Sequence, residues 1–128
     1  SALQARDEVE HSYGAIWLYL ATRRDGGDGV QAVKPYEPTA MAPEWPYGVL
    51  QLMEGRIGMA AALEASHENG QRSANRECEL YYFAGEKALA DGDLATARKY
   101  LRMSVATGVT EFIEYQTAQR ELKRIGDK

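Results

Sequence analysis

The sequence predicts an all-α fold, a short right-handed stack of helical hairpins. Two stretches repeat each other at a spacing of 34 residues. The matching pairs are Tyr81 with Tyr115, Ala84 with Ala118, and Gly92 with Gly126. A period of this length is typical of a helix–turn–helix unit that stacks on copies of itself. Apolar residues recur three and four positions apart, as on one face of a helix, whereas the alternation typical of strands is never sustained.

The first 70 residues predict irregular helical hairpins. A helix over residues 3–24 should bury a stripe formed by Tyr13, Ile16, Trp17 and Leu20, and a glycine cluster should end it. All four prolines fall between positions 35 and 46, which predicts a loop. The remaining expected elements are a short helical piece over 30–33, helices over 45–54 and 57–67 with Gly55 at their turn, and a polar break over 68–71.

The second half predicts one clear repeat over residues 78–111 and a capping helix over 111–125. Helices are expected over 72–90 and 94–107, joined by a turn at Gly92, with Gly108 ending the second. Small residues, Gly85 and Ala97, should let this pair approach closely. Thr110 is the expected N-cap of the last helix. Together the two halves are predicted to form a single domain over residues 1–128.

Composition excludes several classes of function. The net charge of −4 argues against a nucleic-acid binder, which normally carries a basic field. No segment is apolar for the roughly 20 residues that a membrane span requires. A single cysteine, Cys78, permits no internal disulfide. No targeting segment is recognised in the chain.

Two segments resemble the C-terminal portion of bacterial tetratricopeptide-repeat proteins of the NlpI lipoprotein type. The first is RECELYYFAGE, residues 76–86, followed by Gly92-Asp93, Ala97 and Leu101; the second is TGVTEFIEY, residues 107–115, followed by Ala118 and Leu122. The resemblance implies an adaptor or scaffold of the bacterial cell envelope, periplasmic or anchored to the outer membrane. Its implied partners are an envelope protease or a cell-wall hydrolase.

A candidate peptide groove follows from the spacing of the repeat. In stacks of this kind the first helix of each unit lines a concave surface, and four residues here share that face by spacing: Glu79, Tyr82, Glu86 and Leu89. Tyrosine among carboxylates suits a protein-binding surface. The alternative is that Tyr82 packs against the helical hairpin that begins near Trp45.

Other chemistry receives less support from the sequence. Cys78 is the only thiol, but it is flanked by Glu77 and Glu79, whose carboxylates disfavour a thiolate. The two histidines, His11 and His67, lack the neighbouring ligands of a metal site. No catalytic residue, cofactor or metal is therefore predicted. The expected function is a non-catalytic protein–protein interaction module; the alternatives are a self-associating structural domain, as a homodimer, and a small thiol enzyme that uses Cys78.

Overall fold

The computed structural model describes residues 2–37 and 44–126. Within these ranges the fold is all-α, as predicted, and the only β-type pairing is an isolated bridge between Glu68 and Gln71. The α-helices are α1 (Ala2–Arg24), α2 (Gly29–Val33), α3 (Tyr47–Met53), α4 (Met59–Ala65), α5 (Ala74–Ala90), α6 (Leu94–Ala106) and α7 (Ile113–Arg124). A short 3₁₀ helix, Lys34–Tyr36, follows α2 directly.

The chain divides into two compact units, Ser1–Ala65 and Ser66–Lys128. The first contains α1 to α4 and the second contains α5 to α7, so the boundary falls close to the predicted change from irregular hairpins to the clear repeat. The expectation of one domain over residues 1–128 stays a prediction.

In the first unit α1 packs against α2 and α3, and α3 packs against α4. The buried stripe of α1 differs from the predicted one. Ile16 and Leu20 are buried as expected, but Trp17 is 42% exposed, and Tyr19 is buried in its place. The reason is a close approach: a Cβ on Gly29 would lie 2.6 Å from the Tyr19 ring, so only glycine lets α2 begin there.

The second unit is built on the hairpin of α5 and α6. Gly92, with φ of +78°, ends α5, and the Gly92 and Asp93 amides donate to the Leu89 and Ala88 carbonyls, as in a Schellman motif. The Asp93 side chain then caps α6 by accepting from the Thr96 amide at 3.1 Å. These two caps explain why the turn between the helices is only three residues long.

The helices of this hairpin come closest at Gly85. A Cβ placed there would lie 2.7 Å from Leu101 Cγ, so the close approach predicted for Gly85 exists. Its partner is Leu101, one turn beyond the expected Ala97, which is itself fully buried. Packing across this contact therefore depends on the absence of a side chain on α5.

The last helix packs on both members of the hairpin, with Ala118 and Leu122 buried. The predicted N-cap, Thr110, is wrong. Residues 110–112 form a turn, and α7 begins at Ile113 with Phe112 at the N-cap and no side-chain cap. Thr110 instead contributes its carbonyl, which accepts from Gln116 Nε2 at 3.2 Å.

Candidate functional site

An open cleft of about 480 Å³ lies in the second unit, between the first half of α5 and the second half of α6. We call it the α5–α6 cleft. Its lining comprises Arg72, Ala74, Glu77, Tyr81, Met103, Ala106 and Thr107. The α6 side is mainly apolar, whereas the α5 side carries both charges. Such a mixture can hold an apolar group in its floor and orient it by polar contacts at the rim.

An ion pair fixes the polar side of the cleft. Arg72 Nε and Nη2 donate to the two carboxylate oxygens of Glu77 at 2.9 and 2.7 Å. The Arg72 side chain is 78% exposed, while the Glu77 side chain is nearly buried. These hydrogen bonds lower the pKa of Glu77 in spite of its burial, which acts in the opposite direction. Glu77 therefore holds the guanidinium in one orientation at the mouth of the cleft.

Aromatic rings form the next part of the wall. The rings of Tyr81 and Tyr100 stack across the hairpin, with centroids 6.2 Å apart and planes 17° from parallel. Burial raises the pKa of Tyr81, and the Glu77 carboxylate raises it further. The amine of Lys99 lies 5.5 Å from the centroid of the Tyr100 ring. Beyond Tyr81 the cleft thus adjoins a stacked aromatic pair.

The four predicted groove residues do share one face of α5, but they differ in exposure. Tyr82 and Glu86 are almost wholly buried, and Tyr82 packs edge-on against Phe83 at 5.1 Å between ring centroids. Glu79 and Leu89 are half-buried. The groove stays a prediction, and only Glu79 and Leu89 among its residues offer appreciable surface to a ligand.

Glu79 also faces another acid. The pKa of Glu114, on α7, is raised by burial and then by the charge of Glu79. Burial and the Glu79 charge thus both favour the protonated form of Glu114. The spacing of α5 alone gave no indication of this pair, because the two residues lie on different helices.

Cys78 occupies the interior of the α5–α6 hairpin. Its side chain is fully buried, and its Sγ lies 3.4 Å from Ser104 Oγ. Ser104 uses its only hydrogen to donate to the Cys78 carbonyl at 2.9 Å, so the thiol must be the donor in the contact between the two side chains.

The first unit contains a cluster that the sequence did not reveal. Tyr47 Oη donates to Glu37 Oε2 at 3.1 Å, and Arg56 Nη2 lies 3.4 Å from Glu37 Oε1 and 3.7 Å from Glu54 Oε2. The Glu54 side chain is only 1% exposed. Burial raises the pKa of Glu54 to about 7, helped by a hydrogen bond that its protonated form makes to Glu37. The cluster joins Glu37, Tyr47 and the turn that carries Glu54 and Arg56, so no single local motif marks it.

Metal and membrane chemistry find no support in the described residues. No group of three or more histidine, cysteine or acidic side chains among them is arranged to hold a metal ion. No helix within residues 2–37 and 44–126 is both long enough and apolar enough to cross a bilayer. In comparisons with known proteins, no family model matches the chain, and no solved structure matches it significantly.

Proposed function

We propose that the protein is a non-catalytic protein–protein interaction module, built as a short tetratricopeptide-like stack of helical hairpins. The observation that carries this proposal is the α5–α6 cleft, where an apolar wall on α6, the Tyr81 ring on α5 and an arginine oriented by Glu77 come together. Aromatic and arginine side chains are the residues that most often dominate binding at protein interfaces. Rigid helices also reduce the entropy lost when a partner binds.

The expected ligand is an extended or helical segment of a partner protein that inserts one apolar side chain over Met103 and Ala106. Beside it, Arg72 is positioned for an acidic group of the same partner, because Glu77 holds only one edge of the guanidinium. Bidentate contact of arginine with a carboxylate is both strong and directional. Glu79, on the side of α5 that faces Glu114 of α7, belongs to the predicted groove and not to this cleft.

The resemblance to NlpI-type proteins supports an adaptor or scaffold role in the bacterial envelope, periplasmic or anchored to the outer membrane. On this proposal the partner is an envelope protease or a cell-wall hydrolase. The alternative of a thiol enzyme is disfavoured by Cys78 itself, whose side chain is buried and donates to Ser104. A catalytic cysteine needs an exposed thiolate in an electropositive setting.

The test is capture of partners from a bacterial envelope fraction, with the cleft blocked in a matched variant. Ala106 is exposed at the end of α6 and lines the cleft, so Ala106→Arg should fill it without disturbing the core. Ala95→Arg changes another exposed alanine, in the first turn of the same helix, and serves as the control. Helical circular dichroism should be the same for both variants and the parent.

We expect the parent and Ala95→Arg to retain a protease or cell-wall hydrolase that Ala106→Arg loses. A single blocking charge at an interface core typically weakens binding by about a hundredfold, from the desolvation of an unpaired charge. If Ala106→Arg captures the same proteins as the parent, the cleft is not the binding site. Turnover of a substrate by the purified chain, abolished in Cys78→Ala, would instead establish the thiol enzyme.

A further inference from the structure

One side of α1 is exposed to solvent along most of the helix. Its exposed residues recur at the helical spacing of three and four: Asp7, Glu10, Gly14, Trp17, Ala21 and Arg24. We call these six residues the outer face of α1. Its centre carries a large apolar side chain, because Trp17 is 42% exposed. The neighbouring positions of the face, Gly14 and Ala21, are small and leave that indole accessible.

Gly14 at the centre of this face is not required by any close contact among the described residues. It lies in the middle of a 23-residue helix, where glycine is unfavourable, and a Cβ added there would meet no atom within 4 Å. A hollow of about 370 Å³ adjoins it on the side of α1 that carries His11 and Leu18, and Tyr36 of the 3₁₀ helix bounds this hollow. Gly14 thus leaves room for a partner's side chain at the centre of the outer face.

Charge is divided along α1 in a way that suits antiparallel pairing with itself. Three acidic residues and one arginine lie in the first half of the helix, whereas Arg23 and Arg24 are its last two residues. Arg6 pairs with Glu10 at 3.5 Å. Asp7 is the acidic residue of the outer face that lies nearest the start of α1. A copy running in the opposite direction brings the acidic end of each helix to the basic end of the other.

The positions of the face match one another about its midpoint. If a two-fold axis passes between positions 15 and 16, Asp7 lies opposite Arg24, Glu10 opposite Ala21, and Gly14 opposite Trp17. The indole of each copy then packs over Gly14 of the other. This is the relation that a two-fold symmetric interface requires, in which residue i contacts j and j contacts i.

We propose that the outer face of α1 binds the same face of a second copy of this chain, as an antiparallel helix pair. The surface is separate from the α5–α6 cleft, so the inference does not depend on the function proposed for that cleft. The face spans about 27 Å, at 1.5 Å per residue. A contact of this size is small among stable interfaces, so the dimer should be weak and reversible.

The first test uses Gly14→Leu and sedimentation equilibrium over a wide range of protein concentration. Leucine fits the monomer, since no atom of the described residues lies within 4 Å of the new Cβ, but it occupies the space over Gly14 that Trp17 of the second copy needs. The variant should keep its helical signal, melt no lower than the parent, and remain a monomer where the parent dimerises. Ala61→Leu, at an exposed position of α4, is the matched control and should dimerise normally.

The second test exchanges charges at the two ends of the face. Asp7→Arg and Arg24→Asp should each weaken the dimer by about tenfold or more, because like charges then meet twice per dimer. The double variant should regain most of the parent affinity. Glu111→Arg and Arg120→Asp, exposed positions of the second unit, are the controls and should change nothing.

Three results overturn the proposal. The parent could remain a monomer at every concentration reached. Gly14→Leu could dimerise as well as Ala61→Leu. The double charge exchange could bind no better than either single one, which would place the contact elsewhere or in a parallel orientation. Rescue by the double variant is the result that a merely structural effect of either substitution cannot produce.

Discussion

A single carboxyl group shows how burial and charge combine in the first unit. Glu54 ends α3 with its side chain 1% exposed, and its oxygens accept no hydrogen bond from the described residues. Arg56 lies 3.7 Å from it, but the guanidinium is half exposed and is shared with Glu37. The arginine therefore offsets only part of the cost of burying the Glu54 charge, and the pKa of Glu54 rises to about 7.

This raised pKa makes stability depend on pH in a stated direction. Between pH 4.5 and about 7 the folded protein holds a proton on Glu54 that the unfolded chain has lost, so the free energy of unfolding falls as pH rises. Glu54→Gln removes the charge and keeps the shape. After allowance for solvent screening, we expect the variant to be about 1–2 kcal/mol more stable than the parent at pH 8.

Urea denaturation at several pH values measures this difference directly. At pH 4 the advantage of Glu54→Gln should vanish, because the parent carboxyl is then protonated in both states. Glu64→Gln, at an exposed position of α4, keeps Glu54 and serves as the control, so its free energy of unfolding should follow that of the parent at each pH. A variant that is equally or less stable at pH 8 would mean that Arg56 fully compensates the Glu54 charge.

The thiol of Cys78 should behave as a structural group. In the native protein it should not react with iodoacetamide, because the side chain is fully buried. Cys78→Ala removes the donor to Ser104 and leaves a small cavity, so we expect a loss of about 1–2 kcal/mol from the free energy of unfolding. Denaturant titration and mass spectrometry of the alkylated protein check the two expectations. Rapid alkylation under native conditions would contradict them.

At the scale of elements, the sequence predicted most of the helix ends through glycine. The breaks expected at Gly26, Gly55, Gly92 and Gly108 all coincide with positive φ values. Helix ends at glycine can be predicted from the sequence because the left-handed conformation that glycine adopts there is a local property of the backbone. The same kind of reasoning predicted the wrong start for α7. Thr110 is a good N-cap by type, but the turn that precedes Ile113 moves the start of the helix beyond it.

Two glycines in helix interiors have opposite roles that the sequence alone could not separate. Gly85→Ala would place a Cβ 2.7 Å from the buried Leu101, so we expect a loss of about 1–3 kcal/mol. Gly14→Ala meets no neighbour and should gain about 0.5–1 kcal/mol from helix propensity. Thermal and urea unfolding of both variants measure these two changes in the free energy of unfolding. If Gly85→Ala is as stable as the parent, the helices do not approach as closely as 2.7 Å implies.

At the scale of the whole molecule, the sequence predicted the fold class better than the site. Helical spacing identifies which residues share a face, so Glu79, Tyr82, Glu86 and Leu89 do align on α5. Helical spacing does not show whether that face is exposed to solvent, and Tyr82 and Glu86 are in fact buried. The α5–α6 cleft combines residues 72–81, at the start of α5 and just before it, with residues 103–107, at the end of α6 and just after it. Contacts between distant segments leave no periodic signal in the sequence.

The second unit should depend on its last helix for folding. α7 packs on both α5 and α6 and buries Ala118 and Leu122. Full burial of a large apolar side chain contributes about 1.5–3 kcal/mol, a sizeable part of the stability of a small domain. Truncation after Gly108 should therefore reduce the helical circular dichroism by more than the deleted residues account for, and should lower the concentration of urea at which the chain unfolds.

Truncation after Gly126 supplies the control, since it keeps the whole of α7, and it should unfold like the parent. The comparison separates a helix that completes a core from a dispensable extension. Without α7, the apolar sides of α5 and α6 that it covers meet water, and the shortened chain should aggregate at concentrations where the control stays soluble. If the chain ending at Gly108 is soluble and melts cooperatively at the parent temperature, the α5–α6 hairpin is stable without a cap. The 34-residue period would then describe one self-sufficient hairpin, because a stacked repeat must cover its open end to remain folded.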